Sequence, residues 1–264
     1  MIKSNPVKSL LTSGKPAFGT WITLCPHPRV VKMFAAAGFD FVIIEMEHTD
    51  FNMQTVGTLA MLAREAGLVP VVRPTGTMKP HDLTRPLDAG AQGLLLPSID
   101  TAEQLEAIIK ATKYYPRGNR PMNLRGPHTD YVTAEPDAII SHVNEQTLSV
   151  VMVETQTSID NLDAICKVDG IDAVMVGPDD LSQDLGVPGQ MNHPKMQEAI
   201  DEIYTICKAN GVPYGQSCQT AEKAENLVAR GATWLPYQND AAMVFNAARA
   251  IVPELMKIGG RADG

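Results

Sequence analysis

The chain has 264 residues, 44% of them hydrophobic, and a formal net charge of −8. This length suits one α/β domain of about 250 residues with a sizeable core, and the acidic balance argues against nucleic-acid binding, which needs basic patches. No apolar run reaches the roughly 18 residues of a membrane span, and the opening MIKSNPVKSLLTSGK lacks a signal peptide's apolar stretch, so a cytoplasmic protein with no membrane partner is expected.

In chain order, short apolar, β-branched runs alternate with longer helical patterns. FGTWITL (18–24), FDFVIIEM (39–46), VPVVRP (69–74) and GLLLPS (93–98) read as the first four strands. A helical pattern over TAEQLEAIIKATKYY (101–115) follows. The next segment, RGNRPMNLRGPHTDYVTAEPD (117–137), is rich in Gly, Pro, Asn and Arg. It lengthens the fourth spacing to about 50 residues and predicts a functional loop or lid. Strands over LSVVMVET (148–155), DAVMVGP (172–178), PYGQS (213–217) and TWLPYQ (233–238) complete the set. Helices fall over HPKMQEAIDEIYTICKAN (193–210) and TAEKAENLVARG (220–231). The helices at 101 and 220 open on Thr with Glu close behind, which is helix-start chemistry.

Several of these strands are continuously apolar, as expected when helices cover both faces of a parallel sheet. Eight such units, with no linker or low-complexity tract, predict one domain over 1–264. A closed eight-stranded parallel (β/α)8 TIM barrel fits better than a doubly wound open sheet. The four cysteines, Cys25, Cys166, Cys207 and Cys218, form no CxxC pair and read as buried apolar residues of a reducing compartment.

In such a barrel, charged residues at the C-terminal ends of apolar strands mark the active face. Here the second strand ends in Glu45, Glu47 and His48, the third in Arg73 and the fifth in Glu154, and the sixth runs into Gly177, Pro178, Asp179 and Asp180. Glu154 and Asp180 come from adjacent strands. Two carboxylates on one rim repel unless a divalent cation lies between them, and oxygen ligands without Cys or His favour Mg2+, Mn2+ or a similar ion. Helix capping or pairing with a lysine is the alternative for each. Arg73 suits binding of a carboxylate or an enolate oxygen, or else a rim salt bridge. His48 is a candidate general acid–base or a structural histidine. Asp88 either orients His48 or ends a helix. Trp21 walls the pocket or belongs to the core. The segment GVPGQ (186–190) reads as a turn, and no lysine sits at a clean strand end, which weighs against a Schiff-base aldolase.

On these stretches the sequence resembles the HpcH/HpaI aldolases, metal-dependent pyruvate aldolases of the phosphoenolpyruvate/pyruvate barrel superfamily. The matching segments are GFDFVIIEMEHTDFN (38–52), VPVVRP (69–74), LDAGAQGLLLP (87–97), VET (153–155) and VGPDDLSQDLG (176–186). The resemblance implies that Glu154 and Asp180 bind a divalent ion (Mg2+, Mn2+ or Co2+). It implies that Arg73 contacts the keto acid and its enolate, and that His48 is catalytic with Asp88 as its paired aspartate. Backbone amides of Gly177, Pro178 and Asp179 would hold the pyruvate carboxylate. The substrates would be a small 2-keto acid and an aldehyde, in a hexamer whose C-terminal helix packs on a neighbouring subunit.

The sequence also departs from that pattern. Met152 stands where the aldolases commonly carry Gln, Glu45-Met46-Glu47-His48 replaces Asp-x-Glu-His, and the 114–126 segment reads YYPRGNRPMNLRG. Met152 and that segment look more like the branch containing a siderophore-pathway citrate synthase. A condensing enzyme joining oxaloacetate to an acyl thioester is therefore the first alternative, and a keto-acid-binding barrel without catalysis the second.

Overall fold

The computed structural model describes residues 1–77 and 79–259. Its strands are β1 (Ala17–Ile22), β2 (Phe41–Glu45), β3 (Val69–Arg73), β4 (Gly93–Leu96), β5 (Leu148–Val153), β6 (Ala173–Val176), β7 (Tyr214–Gln216) and β8 (Trp234–Asn239). They pair in chain order, all parallel, and β8 returns to β1, so the closed barrel expected from the sequence is the fold observed. Helix α1 (Pro6–Thr12) precedes β1. Helices α2 (Arg29–Ala37), α3 (Met53–Ala66), α4 (Pro80–Asp88) and α5 (Ala102–Thr112) each follow one of the first four strands. Helix α6 (Pro136–Gln146) leads into β5, and α7 (Gln156–Asp160) with α8 (Leu162–Cys166) leaves it. Then come α9 (Pro178–Asp184), α10 (Pro194–Ala209), α11 (Ala221–Ala229) and α12 (Asp240–Ile258). Among the described residues no helix is long and apolar enough to cross a membrane.

The strand's two-residue period sorts the apolar residues into two cores. Phe41 and Ile43, Val69 and Val71, Val150 and Met152, and Ala173 and Met175 point into the barrel, with Trp234 stacked on Phe41 at 4.0 Å between ring centroids. Helix α1 adds Val7 and Leu11 to this inner core. The alternate residues, such as Val42, Ile44, Val72, Val151 and Val174, pack outward against the helices. Continuing the inward count one step past the last apolar layer gives Glu45 on β2, Arg73 on β3, and Glu154 and Gly177 beyond β5 and β6. The fold thus aims these residues into the barrel mouth.

Helix starts are chemically defined. Thr101 forms a capping box on α5, with Gln104 as the reciprocal partner, and the Thr220 side chain accepts the Lys223 N–H on α11. Helix α12 differs from the others. Asp240 at its start is buried, whereas Val244, Phe245, Ile251, Val252, Leu255 and Ile258 are exposed.

The 117–137 segment requires a correction. It does not form a lid over the strand ends. Helix α5 runs back from the C-terminal face, so the chain leaves it at the N-terminal face of the barrel. There the segment packs down as a cover. Tyr114 and Ile2 bury against Ile139 and Val143 of α6, with Leu124 and Val132 alongside. Asp130 pairs with Arg64 at 2.7 Å and accepts the Lys3 backbone N–H at 2.8 Å. Composition marked the segment as special, but the direction of the preceding helix fixes the face it occupies.

Candidate active site

The C-terminal face opens on a cavity of about 1090 Å3. Trp21, His48, Arg73, Glu154, Gly177, Pro178, Asp179 and Asp180 all line it. Eight of the nine residues singled out from sequence therefore converge.

The ninth, Asp88, lies elsewhere, and its expected pairing with His48 does not occur within the chain. Asp88 is the last residue of α4, whose C-terminal end lies at the opposite face, and its carboxylate pairs with Arg120 at 2.5 Å. The carboxylate beside His48 is Glu47, 3.8 Å from Nε2.

Glu45 is the hub of the mouth. It is 1% exposed, and register places it directly beside Arg73 on the neighbouring strand. Oε2 accepts from Arg73 Nε at 2.5 Å, while Oε1 accepts the backbone N–H groups of Glu47 at 2.6 Å and His48 at 3.1 Å. One buried carboxylate thus fixes both the guanidinium and the turn that carries His48. Glu47 adds a second contact to Arg73, 3.2 Å from Nη1. The Arg73 guanidinium also lies 4.9 Å from the Trp21 ring centroid, a cation–π distance. The indole in turn donates to Ser217 Oγ at 3.2 Å. Arg73 makes a rim salt bridge and also lines the cavity, and Trp21 packs against the inner core and also lines the cavity.

Glu154 is 6% exposed and has no ion pair among the described residues. Its one hydrogen-bond donor there is the Ser98 backbone N–H, 2.9 Å from Oε2. Ser98 sits in the left-handed region at φ 57, a conformation that costs a non-glycine residue energy. Opposite, a Cβ on Gly177 would lie 2.6 Å from Glu154 Cγ and 2.7 Å from Oε1, so only glycine leaves the carboxylate its place. Burial pushes Glu154 above the usual carboxylate range, and Asp180 and Glu47 push it further against the lowering effects of Ser98 and Arg73. Burial likewise raises Glu47, opposed by Arg73 and His48 and assisted by Glu45 and Asp180. Glu47 and Glu154 thus both feel the charges of Asp180 and Arg73. Neither a cap nor a lysine partner explains Glu154.

This donor set fits a divalent cation. Glu154 is a buried carboxylate without a counter-charge, and Asp180 is an exposed carboxylate at the same mouth. Among the described residues no group of three or more His, Cys, Asp or Glu converges as a closed cage. A cation held by two carboxylates alone keeps positions open for a chelating substrate and water.

The Gly177–Asp179 stretch is narrower as an anion cradle than expected. The Gly177 N–H already donates to the Val153 carbonyl at 3.0 Å, and Pro178 has no N–H. Asp179 is left as its free amide. Sequence reasoning singled out neither Ser217, which accepts from the indole, nor Glu45 as the hub. Counting by twos from Phe41 through Ile43 reaches Glu45 and could have found it.

A family model described as HpcH/HpaI aldolase/citrate lyase matches residues 18–247. The chain is 32% identical over 247 residues to the 4-hydroxy-2-oxo-heptane-1,7-dioate aldolase of Shigella sonnei (strain Ss046), covering 94% of this chain and 93% of that one. An HpcH/HpaI aldolase structure from Desulfitobacterium hafniense DCB-2 matches with a TM-score of 0.90 and 30% identity, over 94% of this chain and 96% of that one. The citrate synthase SbnG matches with a TM-score of 0.86 and 27% identity, over 96% and 98%.

Proposed function

The chain belongs to the HpcH/HpaI aldolase/citrate lyase family and is a carbon–carbon lyase, and from this premise we propose that it makes and breaks the bond between a pyruvate-like 2-keto acid and an aldehyde. The observation that carries this reading is Arg73 clamped by Glu45 and Glu47 at the same mouth as the unpaired Glu154. A cation of the Mg2+, Mn2+ or Co2+ type, held by Glu154 and Asp180, would supply Lewis-acid polarisation of the keto acid.

The chain's own residues supply the rest. Arg73 has spent Nε on Glu45 and Nη1 on Glu47, which fixes the plane of its guanidinium. Its remaining N–H groups serve the keto oxygen and stabilise negative charge there as the enolate develops, at no cost of reorganisation. The Asp179 amide receives the substrate carboxylate. His48 takes the proton from the aldol's C4 hydroxyl during cleavage and returns it in the condensation direction. Glu47 is the carboxylate beside it, 3.8 Å from Nε2. Within one chain Asp88 takes no part, and a role for it on His48 would have to cross a subunit boundary. Assembly as a hexamer is part of the proposal, supported by the exposed apolar side chains of α12.

The test is pyruvate release from a panel of 4-hydroxy-2-keto acids after chelation and readdition of Mg2+, Mn2+ or Co2+. Metal-dependent release is expected, and no release with any metal would overturn the reading. The second reading is a condensing enzyme, favoured by the likeness to the citrate synthase SbnG and by Met152 on the pocket floor. Its mark would be a new tricarboxylate formed from oxaloacetate and an acyl thioester.

A further inference from the structure

The turn that leaves β1 for α2 has little packing of its own. From Thr23 to Arg29 no side chain is buried, and Leu24 is exposed. One carboxylate from beyond the neighbouring strand holds it. Asp240, the first residue of α12 and 4% exposed, accepts the backbone N–H groups of three successive residues. Oδ1 accepts the Thr23 N–H and the Thr23 hydroxyl, both at 2.9 Å, and Oδ2 accepts the Cys25 N–H at 2.8 Å. The Leu24 N–H lies between the two oxygens, at 3.1 and 3.2 Å. Consecutive amides that converge on one anion form a nest, and hydrogen bonds to an ionised acceptor are roughly twice as strong as neutral ones.

Strand register explains why Asp240 reaches this turn. Thr20 of β1 lies beside Tyr237 of β8, but the next pair is Trp21 with Asn239. Gln238 is therefore an extra residue in β8, held at φ 38 in the left-handed region. Such a bulge bends its strand and re-aims the residues that follow. Asn239 then caps α12, accepting the Ala242 N–H at 2.7 Å, and Asp240 meets the turn beyond β1.

The clamp begins two residues past Trp21. Glu45 and Glu47 hold the Arg73 guanidinium from its edges, and the Trp21 ring lies against it. Thr23 lines the same cavity as Trp21 and Arg73, whereas Asp240 is not among the described residues of the cavity wall. An effect of Asp240 on the chemistry must therefore pass through the turn. Resting on the aldolase reading, we propose that Asp240 is a positioning residue for the reaction: it locks the Thr23–Cys25 turn and so keeps Trp21 in place against Arg73. Asparagine at this position keeps one oxygen for Thr23 and sets an N–H2 against the Cys25 N–H, so part of the clamp is lost at constant size.

The experiment measures exchange of the methyl protons of pyruvate in D2O with Mg2+, over a range of pyruvate concentrations, for wild type, Asp240→Asn and Asp240→Ala. Asp240→Asn should lower kcat about tenfold, the result of a small misplacement, and leave KM within about twofold, because the groups assigned to the keto acid's carboxylate and to the cation are untouched. Asp240→Ala should lower kcat further. Acrylamide quenching of fluorescence gives the second readout. Of the two tryptophans Trp234 is 0% exposed, so quenching reads Trp21, and it should rise in Asp240→Asn. A lowered Tm with kcat and quenching unchanged would overturn the proposal and leave the clamp as support for the fold alone. So would a loss confined to KM. No exchange with the wild type would strike the aldolase reading, and this proposal with it.

Discussion

The two ends of the barrel both bury charge, and they treat it in opposite ways. At the N-terminal face three carboxylates each have a cation: Asp88 with Arg120, Asp130 with Arg64, and Asp172 with Lys8 at 2.8 Å. At the C-terminal face Glu45 and Glu47 share Arg73, and Glu154 has no ion-pair partner among the described residues. Burial there pushes Glu47 and Glu154 upward, while at the other end it pushes basic groups downward, Lys113 to about 7 and His128 to about 4. Matched charges hold a chain segment in place. Unmatched ones are kept at a cost to the fold and are recovered by what binds them. The difference separates the half of the molecule that secures the structure from the half proposed to react.

The largest effect that sharpens this contrast is at Arg73. Arg73→Ala should lower kcat by about a thousandfold, the scale of a lost transition-state donor, with circular dichroism unchanged. A tenfold loss or less would remove Arg73 from its assigned role. Next comes Glu154→Gln, with a loss of about a hundredfold in metal-activated turnover and a higher Tm in the metal-free protein. The sign follows from the raised pKa. The unfolded carboxyl ionises around 4.5, before the folded one, so the wild type loses stability as pH rises from about 4.5 to the raised folded value. Glu154→Gln should flatten that fall, and a Tm lower than wild type at pH 7 would contradict it. His48→Ala should cost about a hundredfold in cleavage rate with the fold intact, and unchanged turnover at saturating metal would refute its role as acid–base.

At the other face the same kind of substitution should act on stability. Arg120→Met leaves Asp88 unpaired but about a third exposed, so a loss of about 2 kcal/mol by urea unfolding is expected. A loss near zero would mean that the ion pair does not hold the 117–137 cover. Lys113 gives a signal read through pH alone, in the opposite direction to Glu154. Its folded pKa of about 7 lies below the ordinary 10.5, so the unfolded chain takes up a proton first as pH falls. Stability should rise with pH between about 7 and 10.5, and Lys113→Met should remove that slope in a Tm-versus-pH series.

The barrel was largely legible in the sequence because strand runs and helix starts are local signals. The predicted strand 69–74 exceeds Val69–Arg73 by one residue at its end, and 213–217 exceeds Tyr214–Gln216 by one residue at each end. Arg73 and Glu154 were legible for the same reason, as charges that end apolar runs. The Glu45 clamp was not, because its partners lie across a strand register and in a turn, and neither distance is encoded locally. Asp88 and the 117–137 segment were placed at the wrong end. Their composition resembles that of functional loops, while the direction of α4 and α5 carries both to the stabilising face.

The most direct test of the central claim is exchange of the C3 protons of pyruvate in D2O, followed by proton NMR, with Mg2+ or Mn2+ present and no aldehyde added. Enolate formation at the mouth predicts loss of the methyl signal with wild-type enzyme and its persistence with Arg73→Ala. Persistence with the wild type, or equal loss with both, would contradict the assignment of the unmatched end as the reacting one.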